Sequence, residues 1–140
     1  MRFAFLSLLI LGLISCENPK ETAKQNVKLL KDSLTSEIMA VHDEVMPDHM
    51  KLQLLKDKID ERISQIEDDT VLRMKLEEIS VLLDSAYRSM NSWMYEFEPM
   101  SEEMTREEIL DYYKVEREKV DLVKEVMIKS LELAEQEIAE

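Results

Sequence analysis

Residues 72–100 read LRMKLEEISVLLDSAYRSMNSWMYEFEPM, and this stretch decides the fold. Its apolar side chains recur at alternating spacings of four and three: Leu72, Leu76, Ile79, Leu83, Ala86, Met90, Trp93, Phe97 and Met100. This heptad repeat places them on one narrow stripe of an α-helix, which neighbouring helices must cover. The segments before and after it are therefore expected to pack against it.

The composition favours an all-α protein of one domain. The chain has 140 residues, 45% of them hydrophobic and 35% charged, with three prolines and a single glycine, Gly12. Gly12 falls within the signal peptide predicted below, which leaves no glycine for hairpin turns or phosphate-binding loops. The formal net charge of −13 argues against nucleic acid and anionic lipid as direct partners, because both attract basic surfaces.

The N-terminal residues predict a bacterial lipoprotein signal. Arg2 precedes a largely apolar run that ends before Ser15 and is shorter than the ~20 residues a permanent membrane span needs. The run ends in a match to the bacterial lipobox: Leu13, Ile14, Ser15 and Cys16. This resemblance implies diacylglycerol transfer to Cys16, cleavage between Ser15 and Cys16, and acylation of the new amino terminus. Cys16 is the only cysteine, so the alternative is a thiol without an internal disulfide partner.

The lipid also predicts location and domain order. Several acyl chains anchor a protein stably, whereas one chain is marginal. Glu17 follows the cysteine, which by resemblance to the enterobacterial sorting rule implies the outer membrane. We expect a signal peptide over residues 1–15, a lipid anchor and stalk over residues 16–36, and an up-down-up three-helix bundle over residues 37–140.

The first helix is expected to be long. Asn18 is placed to cap it, with Pro19 at its first helical position. A seven-residue register runs straight across Pro47: Ile38, Val45, Leu52, Ile59 and Ile66. We therefore expect one helix kinked at Pro47, with two helices meeting there as the alternative.

Capping signals mark the two turns. Asp69 or Thr70 is expected to start the second helix, and Pro99 to end it. Thr105 and Glu108 form a capping box for the third helix, which continues to near the C-terminus. Its apolar face comprises Ile109, Tyr113, Val120, Val123, Met127, Leu131, Ala134 and Ile138, interrupted by Glu116 and Arg117. Surface pairs four residues apart are expected for Arg117 with Asp121 and Glu125 with Lys129.

Folding the chain about its turns leaves residues before about Ser36 without a partner helix. The resulting overhang would expose four apolar residues as a contact surface for other envelope components: Val27, Leu29, Leu30 and Leu34.

Methionine and histidine side chains gather at the same end of the bundle. Five lie within roughly a 100° arc of the first helix: Met39, His42, Met46, His49 and Met50. Antiparallel folding puts them level with Tyr87, Met90, Trp93 and Met94. The simpler interpretation is flexible thioether packing around the proline, with Trp93 as an anchor. The alternative is a Cu(I) or Ag(I) site in which the indole of Trp93 covers an ion held by ligands from among His42, Met46, His49, Met50, Met90 and Met94.

Catalysis has little support in the sequence. Once Cys16 is lipidated, no cysteine nucleophile remains, and no histidine is placed beside an obvious serine. A solvated loop explains the acidic residues near the second turn without acid–base chemistry. We expect no enzyme activity and no cofactor, with Cu(I) as the alternative.

One family resemblance accompanies these patterns. The motif His42-Asp43-Glu44-Val45-Met46-Pro47, paired with Met90, Trp93, Met94 and Phe97 behind a lipobox, resembles small lipoproteins of Bacteroidota that are often automatically labelled "viral A-type inclusion protein". The resemblance covers the chain from about residue 38 and implies coiled-coil similarity without a viral role or an assigned site residue. The expected function is a lipid-anchored structural or protein-interaction module of the envelope. The alternatives are a soft-metal binder and a self-associating coiled coil.

Overall fold

The computed structural model describes residues 19–99 and 104–139, which form three α-helices. They are α1 (Pro19–Ser64), α2 (Thr70–Glu96) and α3 (Arg106–Ala139). Each helix packs against both of the others, so the predicted all-α three-helix bundle is confirmed. Within the described ranges, no helix is both long and apolar enough to cross a membrane.

The order up-down-up places α3 parallel to α1. At one end Arg62 of α1 donates to the backbone carbonyl of Glu137 on α3, and Lys75 of α2 pairs with the Glu137 carboxylate. At the other end the hydroxyls of Thr35 and Tyr113 lie 2.7 Å apart. These contacts connect the helices close to both ends of the bundle.

The first helix passes through Pro47 without a break. Ile38, Val45, Leu52 and Ile59 are all buried, so the seven-residue register holds on both sides of the proline. The expected single helix is therefore confirmed, and the alternative of two helices meeting at Pro47 is wrong. The kink itself stays a prediction.

The apolar faces predicted from the sequence form the core. Leu76, Leu83, Ala86 and Met90 of α2 have no exposed surface, and Trp93 is 5% exposed. Burying a large apolar side chain contributes about 1.5–3 kcal/mol, so this row is a principal source of stability. The same cluster takes in buried residues from the other two helices, among them Ile38, Leu52, Ile59, Ile109, Tyr113, Val120 and Met127.

The turn between α1 and α2 is capped from both sides. The side chain of Asp69 accepts a hydrogen bond from the Leu72 amide at 2.9 Å, which makes Asp69 the N-cap of α2. Arg73 donates to the carbonyl of Ile63, in the last turn of α1, and to that of Ile66, which follows the helix. The last carbonyls of a helix lack partners in a following turn, so Arg73 supplies the donor for Ile66 and a second donor for Ile63, whose carbonyl also accepts from the Ile66 amide at 3.2 Å.

The capping box of α3 forms as predicted. The Thr105 amide donates to Glu108 Oε2 at 2.8 Å, and the Glu108 amide donates to Thr105 Oγ1 at 3.3 Å. The backbone hydrogen bond from Thr105, supported by its hydroxyl, holds the pKa of Glu108 below its usual range.

The prediction that residues before about Ser36 lack a partner is wrong for three of them. Val27 and Leu34 pack against the core, and Thr35 contacts Tyr113. The reason is the length of α3, which has 34 residues against 27 in α2 and covers more of the parallel α1. Leu29 remains 61% exposed, as expected for the overhang.

Candidate functional site

His42 brings the methionine-rich faces of α1 and α2 together. Its Nε2 lies 3.2 Å from Met94 Sδ, and its ring centroid lies 5.9 Å from that of Trp93. On the other side of the ring, Nδ1 lies 2.8 Å from Asp43 Oδ1. The His42 side chain is 14% exposed, so this contact sits at the rim of the core where solvent still reaches it.

The second histidine takes a different environment. His49 lies seven residues further along the same face and stacks on Tyr87 with ring centroids 4.2 Å apart. Its Nε2 lies 3.3 Å from the Tyr87 carbonyl oxygen. His49 is therefore engaged by a backbone acceptor and an aromatic face, away from the Met94 thioether.

The predicted metal-ligand residues thus divide into groups. His42 and Met94 are in contact, and Trp93 is beside them. Met46 is half-buried against the core and Met90 is fully buried within it. Met50 is 62% exposed. Among the residues described, no three His, Cys, Asp or Glu side chains are arranged to hold a metal ion.

Glu116 is a site residue that the sequence pattern missed. It was expected to interrupt the apolar face of α3, yet it is only 4% exposed. The indole N–H of Trp93 donates to Glu116 Oε2 at 3.1 Å, and Lys119 donates to Oε1 at 2.7 Å. The hydrogen bond to Glu116 raises the pKa of Lys119 above its usual range. The available signal was position: Glu116 lies three residues after Tyr113 and four before Val120, in register with the buried face.

A row of aromatic rings extends from Trp93 toward the start of α3. Phe97 stacks on Trp93 with centroids 5.1 Å apart and lies 6.4 Å from both Tyr112 and Tyr113. The Tyr112 hydroxyl donates to the Glu98 carbonyl at 2.7 Å and accepts from the Glu98 amide at 3.1 Å. Burial is the main cause that raises the pKa of Tyr112. The row fixes the chain after α2 against α3.

The lipobox residues Ser15 and Cys16 lie outside the described residues, as does the predicted cap Asn18. The helix that follows them is described from Pro19. Between the first turns of α1 and the start of α3 runs an open groove of about 450 Å³, lined by Ala23, Asn26, Val27, Leu30 and Arg106. We call it the basal groove.

Fold and site together define a three-helix bundle with an aromatic, histidine- and methionine-lined end. No particular family follows from comparison, because no family model, curated protein or solved structure matches the chain.

Proposed function

We propose that this protein is a lipoprotein anchored in the bacterial outer membrane, where it acts without catalysis as a protein-interaction module. The observation that carries the proposal is the course of α1, which starts at Pro19, three residues after the lipobox cysteine, and continues for 46 residues. At 1.5 Å per residue this helix is about 70 Å long. Acyl chains on Cys16 would therefore precede by only three residues a continuous helix that runs through the whole bundle.

The basal groove is the contact surface in this proposal. It lies along the first turns of α1, the end of the helix that follows Cys16 in the sequence, and Ala23, Val27 and Leu30 give it an apolar lining. Of the four apolar residues expected in the overhang, Val27 and Leu30 line this groove, whereas Leu29 and Leu34 do not. Exposed apolar surface with a defined shape is typical of a docking site.

Charge indicates what kind of partner fits. Arg106 borders the groove, and residues 19–31 carry four lysines and one acidic residue, whereas the whole chain has a net charge of −13. A second copy of this acidic chain would be repelled less by the basic segment than by the rest of the surface. The basic segment is nevertheless most complementary to a partner with acidic side chains. We therefore propose that the partner bound in the basal groove is a segment of another envelope protein in which acidic side chains flank apolar ones.

Site-specific photo-crosslinking in the bacterial envelope tests this surface. A photoreactive residue at Asn26, which lines the groove, should give a discrete adduct. The same residue at Gln25 is the matched control, because it is equally close to the anchor but about 100° around the helix. An adduct from both positions, or from neither, contradicts the proposed surface.

A charge reversal tests the chemistry of the partner. Arg106→Glu should abolish the Asn26 adduct, and it leaves α3 intact because an acidic residue suits a helix N-terminus. Arg88→Glu changes an exposed arginine on α2 by the same charge and should leave the adduct unchanged. Equal loss in the two variants would mean a general electrostatic effect rather than a groove contact.

Self-association is a second candidate, favoured by the outer face of α2. Met74, Val81 and Tyr95 lie at heptad-related positions and are 65%, 67% and 89% exposed. Sedimentation velocity decides between the candidates: a monomer at micromolar concentration excludes an obligate oligomer. An oligomer that dissociates in Val81→Lys would support the coiled-coil alternative.

A further inference from the structure

We propose that His42 and Met94 are the core ligands of a binding site for a soft monovalent cation, Cu(I) or Ag(I), beside the indole of Trp93. This site is independent of the interaction surface at the basal groove. Its basis is the contact between an imidazole nitrogen and a thioether sulfur, 3.2 Å apart, from two different helices.

The protons available to His42 favour a cation between these atoms. A carboxylate can only accept hydrogen bonds, so the contact with Asp43 Oδ1 at 2.8 Å requires the proton of His42 on Nδ1. In the neutral ring Nε2 then has no hydrogen and directs a lone pair at Met94 Sδ, which also has only lone pairs to offer. Two lone pairs that face each other with no hydrogen between them form an arrangement that a bound cation would stabilise.

Asp43 gives His42 the environment of a metal-bound histidine. Such a histidine usually donates its other ring N–H to a carboxylate, which fixes the tautomer and raises the basicity of the ligating nitrogen. Glu44, the next carboxylate along α1, is engaged by Lys124 at 2.6 Å instead. The histidine is thus oriented by one carboxylate, and no cluster of oxygen ligands competes for a hard cation among the described residues.

The donor types select soft ions. Thioether sulfur binds Cu(I) in preference to hard divalent cations, and imidazole is compatible with it. The Trp93 ring lies beside this pair, with its centroid 5.9 Å from that of His42, and an indole face attracts a cation that is held close to it. Half-buried thioethers on α1 one turn to either side of His42, those of Met39 and Met46, could complete the ligand set.

The distance between His42 Nε2 and Met94 Sδ is close to the one that a shared cation requires. Ligand bonds of about 2.0 Å to nitrogen and about 2.3 Å to sulfur, as zinc shows, place the two atoms about 3.5 Å apart at a tetrahedral angle. Nε2 and Sδ are 3.2 Å apart, so the site must open by a few tenths of an ångström. A methionine side chain with three rotatable bonds makes that movement readily.

The test is a titration of the full chain carrying Cys16→Ser, which removes a thiol that would bind the same ions. Ag(I) serves as the redox-inert probe, in competition with a chelator, and the fluorescence of Trp93 is followed because it is the only tryptophan. Saturable one-to-one binding that quenches Trp93 is expected. Met94→Leu and His42→Gln should each weaken it by about tenfold or more. Met50→Leu removes an exposed thioether and is expected to leave affinity unchanged.

The carbon-13 methyl signals of the methionines provide a readout that needs no variant. The Met94 methyl should shift on addition of Ag(I), while the exposed Met50 methyl should not. Binding no stronger than the chelator background, unchanged affinity in Met94→Leu, or a shift of the Met50 methyl alone would each overturn the proposal.

Discussion

The indole N–H of Trp93 on α2 donates to the buried carboxylate of Glu116 on α3 across 3.1 Å. A carboxylate in a core is tolerated only when it is paired and hydrogen-bonded, and Lys119 supplies the second partner at 2.7 Å. This interaction therefore joins two helices at the end of the bundle where the chain also holds its aromatic row. It also fixes the ring that borders the His42–Met94 contact.

Replacing Glu116 should reveal how much this hydrogen bond stabilises the bundle. Glu116→Ala leaves a cavity and an indole donor without an acceptor, and we expect a loss of about 3 kcal/mol in the free energy of unfolding. Glu116→Gln retains an acceptor oxygen for Trp93 and should cost clearly less. Urea unfolding measures both, and equal small losses would contradict a structural role for the hydrogen bond.

Ser80 offers a test of a second interhelical contact. Its hydroxyl donates to Asp60 Oδ1 at 2.5 Å, and Lys56 donates to Oδ2 of the same carboxylate. Burial raises the pKa of Asp60, but the hydrogen bonds from Lys56 and Ser80 together hold it below its usual range. Ser80→Ala should lower the free energy of unfolding by about 1 kcal/mol at neutral pH.

The sign of the pH dependence follows from that lowered pKa. The stabilisation by Asp60 is present above its unfolded-state pKa and is lost as the pH falls through its folded-state pKa. The difference between wild type and Ser80→Ala should therefore shrink below about pH 4. Ser85→Ala, at an exposed position of α2, corrects for helix propensity, and a difference that grows in acid would contradict the assignment.

Pro47 should be a point where the bundle can be stabilised. A proline inside a helix removes one backbone hydrogen bond and clashes with the preceding turn, yet α1 continues through it. Pro47→Ala restores the donor, and we expect a gain of about 1–3 kcal/mol with a higher melting temperature. Pro99→Ala, beyond the end of α2, is the control and should change little. Destabilisation by Pro47→Ala would show that the core depends on the geometry the proline imposes.

The capping box predicts a second acid-sensitive contribution. Hydrogen bonds from Thr105 lower the pKa of Glu108, so its stabilisation is present above the unfolded-state pKa and disappears as the pH falls through the folded-state pKa. The melting temperature of the wild type should exceed that of Glu108→Gln at pH 7, and this difference should disappear in acid. A gap that is independent of pH would mean that the charge of Glu108 makes no contribution.

The features that sequence spacing could predict are those set locally. The heptads through Leu76 and Leu83, the cap at Asp69 and the Thr105–Glu108 box depend on residues within one or two turns of each other. The level of helix against helix was also predictable, since His42 meets Met94 and His49 meets Tyr87 as antiparallel folding implies.

The partner that each side chain contacts on a neighbouring helix could not be predicted from the spacing of apolar residues. His42 and His49 share a helix face, but neighbours on α2 decide that one meets a thioether and the other a ring and a carbonyl. Glu116 was expected only as an interruption of the apolar face of α3, and spacing alone could not show that Trp93 and Lys119 satisfy its buried carboxylate. The overlap of α1 with α3 depends on helix lengths, and small errors at each turn add up there.

Mass spectrometry of the N-terminal peptide of the protein isolated from bacterial membranes tests the central claim most directly. If the bundle is held by a lipid, the first residue is Cys16 and carries acyl chains, and Ser15→Ala, which keeps a small residue before the cysteine, is processed in the same way. Cys16→Ser should retain its signal peptide and carry no acyl chain. An unmodified Cys16 thiol in a chain that still begins at Met1 would contradict the account.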